Sequence, residues 1–232
     1  MMMALKAAAQ QQGASSTTVY VEEDFTATTS TDLGYNNLTV DELGGGWLGQ
    51  DFNFDYEADG SGVQCTSGSG NRVTVVQTDG REDVRVTCTL VAARGTANGR
   101  WQGLCIRSHG TTRADSMSLK LNGYLEANLW LIDDTSTLNT WDLSVLLGVD
   151  VVEGDHLVIV IDCSGDDITL VSIDRNGAGA TAINDTYTLT GATATAHGAG
   201  SGADYYGLIS NERVTPPTGE RFEYFKVETI PA

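Results

Sequence analysis

The sequence predicts an all-β fold: a two-sheet antiparallel sandwich preceded by a short N-terminal arm, helical or extended. Three observations carry this expectation. Glycine is frequent (27) and proline rare (3) among 232 residues, a balance that suits many tight turns between strands. Apolar residues alternate with polar ones in successive runs, the period of a strand with one buried face. Turn dipeptides separate or flank those runs: Asp79-Gly80, Asn98-Gly99, Asn122-Gly123 and Asn176-Gly177, all of which favour hairpin geometry. Length permits one large β domain or two small ones, with an ample core.

The arm comes first, over residues 1–18, and the β-sandwich domain follows over 19–232. The opening reads MMMALKAAAQQQGASSTT. Met, Ala, Leu, Lys and Gln favour helix, so residues 2–12 are expected to make about three turns ended by Gly13. A helix this short is marginal alone in water, so Met1, Met2, Met3, Leu5 and Lys6 are candidate assembly contacts. The arm packs on a partner subunit or docks on its own domain. Gln10, Gln11 and Gln12 stand where a secretory cleavage region would begin, so no signal peptide is expected.

Strands are expected at Val73–Val75, Val84–Leu90, Trp101–Arg107, Met117–Asn122, Tyr124–Ile132, Leu157–Asp162, Ile168–Asp174, Tyr205–Ser210 and Phe222–Val227. About ten strands in one unbroken domain argue for a sandwich. No helical periodicity is visible after residue 15, and no internal repeat is present.

Composition excludes several roles. The net charge is −18, which repels phosphate backbones and anionic lipid, so nucleic acid is not an expected partner. No apolar run approaches the ~20 residues of a membrane-spanning helix, so membrane insertion is not expected. Cys65, Cys88, Cys105 and Cys163 show no CxxC or zinc-type spacing. Cys88 and Cys105 fall in strands where a bridge is conceivable, but buried free thiols are the preferred reading. Two Asn-x-Thr sequons, at Asn37 and Asn184, mean little without secretion.

One segment carries more information than the rest. From residue 117 the odd positions Met117, Leu119, Leu121, Leu125, Leu129 and Leu131 are apolar. The even positions Lys120, Asn122, Tyr124, Glu126, Asn128 and Trp130 share the opposite face. Aromatic rings can cover the apolar faces of sugars while amides and carboxylates fix orientation. Asn122, Tyr124, Glu126, Asn128 and Trp130 are therefore candidate carbohydrate- or partner-binding residues, the alternative being an ordinary solvated or loop-covered sheet face.

The order of landmarks resembles the concanavalin A-like lectin/glucanase jelly rolls, in particular laminin-G-like modules. The landmarks are Glu23-Asp24-Phe25, then Gly46-Trp47, then Gly103-Leu104-Cys105-Ile106-Arg107. The Asn122-Gly123-Tyr124 hairpin follows, then Gly154-Asp155-His156-Leu157-Val158-Ile159 and Asp174-Arg175-Asn176-Gly177. Tyr205-Tyr206-Gly207-Leu208-Ile209-Ser210 and the aromatic Phe222-Glu223-Tyr224-Phe225 close the series. The likeness spans roughly residues 20–230, and it implies a jelly-roll sandwich of the kind found in adhesins, sugar hydrolases and tailed-bacteriophage structural proteins. The glucanase branch carries E-x-D-x-E or E-x-D-x-x-E on one strand, and no such triplet occurs here. Glu22, Glu23 and Asp24 are adjacent and alternate faces, so they cannot converge as acid and nucleophile.

Other chemistry is equally sparse. There is no G-x-S-x-G elbow. His109, His156 and His197 lie at no ligand spacing and read as loop or surface histidines. Lys6, Lys120 and Lys226 follow Leu, Leu and Phe, so no phosphate-binding Gly-Lys exists. Gly44 to Gly49 formally matches GxGxxG without a strand–helix frame. Asp133 and Asp134 with Glu126 form the least unlikely carboxylate set for a glycosidase. Calcium is the one cofactor kept open, at Asp55, Glu57 and Asp59; the oxygen-rich loop is incomplete because Thr66 stands where the last ligand of a full loop would fall. Asp162, Asp166 and Asp167 make a second acidic turn. The reading is a non-catalytic structural or interaction protein, a virion component such as a capsid decoration or tail-associated protein. The arm would anchor it to other virion subunits or to copies of itself in a homo-oligomer, and a carbohydrate-binding module is the alternative. A virion location is expected, an extracellular or cell-surface one otherwise.

Overall fold

The computed structural model describes residues 17–25, 46–49, 54–56, 62–65, 71–92, 101–111, 115–122, 128–134, 136–211 and 221–231. They form two antiparallel sheets. The eight-stranded sheet runs β13 (Thr181–Thr188), β12 (Asp167–Arg175), β11 (His156–Ser164), β6 (Val84–Val91), β15 (Arg221–Glu228), β4 (Val63–Cys65) and β3 (Phe54–Tyr56), with β1 (Val19–Glu23) also paired to β15. The seven-stranded sheet runs β10 (Ser136–Asp142), β9 (Asn128–Asp133), β8 (Met117–Asn122), β7 (Trp101–Ser108), β14 (Tyr205–Asn211), β5 (Asn71–Gln77) and β2 (Leu48–Gly49). Two short helices are added, α1 (Leu143–Leu147) and α2 (Gly191–His197).

The two-residue period builds the core. On β6 the side chains of Val84, Val86, Cys88 and Leu90 are fully buried, while Arg85, Thr87 and Thr89 are only half-buried. From the other sheet Leu104, Ile106, Leu119, Leu121, Leu129, Leu131 and Leu208 join the same cluster. Each such side chain contributes about 1.5–3 kcal/mol by leaving water.

The sequence landmarks are structural joints. Glu23 Oε1 accepts the Phe25 N–H at 2.9 Å, which holds Phe25 in the left-handed region (φ 54°). Its ring lies 6.0 Å from Trp47, which lies 5.6 Å from Phe225. The early acidic-aromatic pair, the Gly-Trp entry and the last strand thus meet in one aromatic stack. Asp155 and Asn176 likewise join two motifs. Asp155 accepts from Arg175 Nε (2.6 Å), Asn176 Nδ2 (2.7 Å) and the Val152 N–H (2.7 Å), while Asn176 Oδ1 accepts the His156 N–H. Gly103 and Gly207 mark close strand approaches: a Cβ there would stand 1.8 Å from Leu119 O and 2.0 Å from Thr74 O respectively.

The strands define two ends. Val84 on β6 pairs with Cys163, and Val91 with His156; eight residues at about 3.3 Å each set the ends roughly 25 Å apart. β1 starts at the α2 end, because Val19 pairs with Glu228 and Glu228 with Arg85. The α1 segment lies at the other end, where the Gly154 N–H donates to Ala92 O.

Several expectations are corrected here. The described part of β9 begins at Asn128, which pairs with Asn122; residues 123–127, including Tyr124 and Glu126, lie outside the described residues. The strands β1, β10 and β13 and the short β2, β3 and β4 join those expected. So do α1, capped by Asp142, which accepts the Ser144 and Val145 N–H groups, and α2. The arm helix of residues 2–12, with Met1, Met2, Met3, Leu5 and Lys6, lies outside the described residues.

Candidate functional site

The candidate face is the side of the seven-stranded sheet turned away from the core. Register places Lys120, Trp130 and Thr140 in one row, and Asn122, Asn128 and Asp142 in the next. Their neighbours Leu119, Leu121, Leu129, Leu131 and Trp141 point to the core. Trp141 Nε1 crosses to the facing sheet and donates to Asp185 Oδ2 at 2.8 Å, which ties the edge strands β10 and β13 together.

The face is not uniformly open. Beneath β14, β7 and β5 it is closed, with Val73, Val75, Cys105 and Ile209 forming a second buried apolar cluster. Lys120 is 2% exposed and Asn128 7%. Trp130 is half-buried, and Thr140 and Asp142 are exposed. Exposure therefore rises strand by strand toward β10, and the margin carries an indole, a hydroxyl and a carboxylate side by side. An aromatic surface beside hydrogen-bonding groups can hold the apolar face of a sugar ring and fix its hydroxyls. Asn128 and Trp130 lie on this face, and register places Asn122 in the same row as Asn128. Nothing in the sequence signalled Thr140 and Asp142, because β10 alternates weakly.

A second polar cluster lies at the α2 end. Arg107 is fully buried, with φ 46°. Its Nη1 donates to Gly165 O at 2.5 Å and His197 O at 3.0 Å, and its Nη2 to Glu82 O at 3.3 Å. Three carbonyl dipoles replace the water lost by this cation. His197 is buried rather than on the surface (3% exposed): its Nδ1 lies 2.7 Å from Arg107 O and its Nε2 3.5 Å from Asp133 Oδ1. Thr193 donates to the other Asp133 oxygen at 2.8 Å. Glu82 accepts the N–H groups of Gly200 and Gly202, and Tyr206 donates to Glu82 O. These groups bind loop to loop. Asp133 is held by Thr193 and His197, Asp134 lies exposed in the turn, and Glu126 is outside the described residues.

No described arrangement assembles a metal site. Among the described residues no three His, Cys, Asp or Glu side chains converge in a way that could hold a metal ion. Asp55 sits on β3, and Glu57 and Asp59 lie outside the described residues. In the second acidic turn the carboxylates diverge: Asp162 pairs with Arg85 at 2.7 Å, Asp166 accepts the Ala199 N–H, and Asp167 accepts from Thr188. Cys88, Cys105 and Cys163 are free and buried. Burial pushes the Cys105 thiol up to about 12 and that of Cys163, with Arg107 opposing, to about 11.

No protein-family profile and no curated protein matches the chain. Solved structures do. The chain is similar to a xylan beta-1,4-xylosidase from Bacillus halodurans C-125, at 12% identity and TM-score 0.59, covering 89% of this chain and 38% of that one. It is similar to the CBM2 module of the evolved Dit of Lactobacillus casei BL23 phage J-1, at 13% identity and TM-score 0.54, covering 93% and 97%. It is also similar to the exoplasmic/lumenal domain of VIP36 in its Ca2+/Man2-bound form, at 11% identity and TM-score 0.53, covering 91% and 87%. This chain thus spans well under half of the xylosidase and nearly all of the phage module. At these identities the likeness establishes the fold, a two-sheet antiparallel jelly-roll sandwich.

Proposed function

We propose that this chain is a non-catalytic recognition module that binds glycan at the β9–β10 margin around Trp130, and that it serves as a structural component of a bacteriophage virion. The observation that carries the glycan reading is the half-buried Trp130 at the place where the face opens, flanked by Thr140 and Asp142 with Asn128 beneath. A sugar ring would lie on the indole while the hydroxyl and carboxylate receive its hydroxyl groups. The virion reading, as capsid decoration or tail-associated protein, draws support from the end-to-end likeness to a phage module and from the sequence of the arm. The laminin-G-like grade of the resemblance rests on the landmark motifs.

The test is glycan binding by the full-length protein and by Trp130→Ala. Binding by the wild type at up to millimolar glycan, lost in the variant with the melting temperature unchanged, is the expected result. A wild type that binds no glycan, or a variant that binds as well, overturns the glycan reading. For the virion reading, removal of residues 1–15 should abolish incorporation into particles, and normal incorporation would end it. Calcium held by Asp55, Glu57 and Asp59 is part of the proposal; a chelator should then lower the melting temperature, and unchanged melting removes the ion.

A further inference from the structure

The α1 end carries an apolar surface that the glycan margin does not use. Val145, Val149 and Val152 are 75%, 47% and 43% exposed, the large hydrophobic residues left open to solvent among the described residues. Leu146, Leu147 and Val151 beneath them are half-buried against the core. Three exposed valines within eight residues at one end of the sandwich are apolar surface of the kind that marks an interaction site. Exposed carboxylates rim it: Asp142, Asp150 and Glu153.

The sequence contains a segment with the opposite character. No acidic residue precedes Glu22 in a chain whose net charge is −18, and residues 1–12 are eight apolar residues, three glutamines and Lys6. Two copies of so acidic a protein repel one another over most of their surfaces. An apolar segment bearing one lysine is the part of the chain best matched to an apolar patch with an acidic rim, and its methionines adapt to irregular surfaces. Thr18 is fastened at the α2 end, where its N–H donates to Thr229 Oγ1 and its carbonyl accepts the Thr229 N–H. From there β1 runs toward the α1 end, so Thr17 and Thr18 lie at the α2 end. The valine patch of the same molecule lies at the opposite end, about 25 Å away.

We infer that residues 1–12 of one copy dock on the Val145–Val149–Val152 patch of a second copy, with Lys6 against the Asp142, Asp150 and Glu153 rim, so that copies join head to tail. The donor and acceptor surfaces differ, so the interface is heterologous and generates a ring or a filament rather than an isologous dimer. The inference rests on the arm being an anchoring segment, and it names what the arm anchors to; Asp142 is the one residue it shares with the glycan margin.

The experiment uses full-length chains throughout and reads mass in solution. The wild type should form oligomers whose mass rises with protein concentration. Val145→Asp with Val149→Asp destroys the acceptor, and Leu5→Glu with Lys6→Glu destroys the donor; each doubly substituted protein should be a monomer. Mixed together, the acceptor-dead chain still offers its arm and the donor-dead chain still offers its patch. The mixture should therefore give a complex of one copy of each and nothing larger. That complementation also shows that neither variant is monomeric through misfolding. A monomeric wild type, as an arm folded back on its own domain or bound only to a foreign partner would give, overturns the inference. So does an acceptor-dead protein that oligomerises like the wild type, or a mixture that stays monomeric. Loss of virion incorporation in the donor-dead protein alone, with the acceptor-dead protein incorporated normally, would keep the anchoring reading and reject the valine patch as its target.

Discussion

Replacing Asp155 by Asn tests the joint between β11 and β12. The side chain is 5% exposed and accepts three hydrogen bonds, from Arg175 Nε, Asn176 Nδ2 and the Val152 N–H. Burial alone would raise its carboxyl; the bonds from Arg175, Val152 and Asn176 outweigh that and hold it below the usual carboxylate range. An Asn keeps one acceptor oxygen and turns an NH2 group toward one of three donors. A hydrogen bond to a charged group is worth about 1.5–3 kcal/mol, and breaking a fully buried pair costs about 3–5 kcal/mol. Arg175 is 26% exposed, so water recovers part of that loss, and a destabilisation of about 2–3 kcal/mol at pH 7 follows. The sign of the pH dependence is fixed by the depressed carboxyl. Its contribution is complete above the unfolded-state value of about 3.9 and is lost as pH falls through the folded-state value. Urea unfolding followed by tryptophan fluorescence should show the gap between wild type and variant at pH 7 and its narrowing below about pH 4. A gap under about 0.5 kcal/mol at pH 7, within the range of neutral surface changes, would refute the joint. An equal gap at pH 3 would refute its ionic character.

Three further perturbations probe other joints. Phe25→Ala opens the stack on Trp47 and should cost about 3–5 kcal/mol, read by denaturant midpoint and by a change in tryptophan emission; a cost below about 1 kcal/mol would deny the stack its role. Gly207→Ala places a Cβ 2.0 Å from Thr74 O, so β14 and β5 cannot keep their spacing and the protein should be recovered largely unfolded by circular dichroism; a native spectrum would contradict the register. Cys105, buried with its thiol pushed up to about 12, should not react with a thiol reagent at pH 8 until denaturant is added, and rapid labelling of the native protein at Cys105 would contradict its burial.

The most legible parts of the fold are those where one face is buried. β6 reads as a strand because Val84, Val86, Cys88 and Leu90 alternate with Arg85, Thr87 and Thr89, and burial follows that alternation residue for residue. β11 and most of β12 share this property, whereas β7, β8 and β14 are buried on both faces and read as apolar runs bounded by turns. β10 and β13 are edge strands. Ser136–Asp142 and Thr181–Thr188 each leave most side chains exposed or half-buried, so burial does not select apolar residues at every second position, and each is interrupted by a register shift. α1 has five residues, too few for a helical period, and its signal is confined to the Asp142 cap and Gly148 at φ 66°. The site follows the same division. Trp130 and Asn128 were legible through their alternation with Leu129 and Leu131. Thr140 and Asp142 were not, since they belong to the edge strand. Arg107 and His197 are 90 residues apart in sequence, and only the fold brings them together.

That division bears on what the resemblance can carry. Phe25, Trp47 and Phe225 stack in the core, Asp155 and Asn176 join two strands, and Gly103 and Gly207 allow close strand approach. These landmarks hold the sandwich together, so a sequence can keep all of them while its exposed surfaces change freely. The β9–β10 margin and the valine patch lie outside the landmark motifs: Trp130, Thr140, Asp142, Val145 and Val149 occupy an edge strand, its neighbour, and the helix and loop that follow. Substitutions there leave the core stack and the Asp155 joint untouched, since Val145 is 75% exposed and Thr140 faces solvent. The proposed recognition surfaces and the core joints are thus largely separate, Asp142 being both an α1 cap and part of the margin. A landmark substitution such as Phe25→Ala should lower stability first and activity only through unfolding. Trp130→Ala should remove recognition from a protein that melts where the wild type does. A Trp130→Ala protein that loses stability as severely as Phe25→Ala would place the indole among the structural joints and take the glycan reading with it.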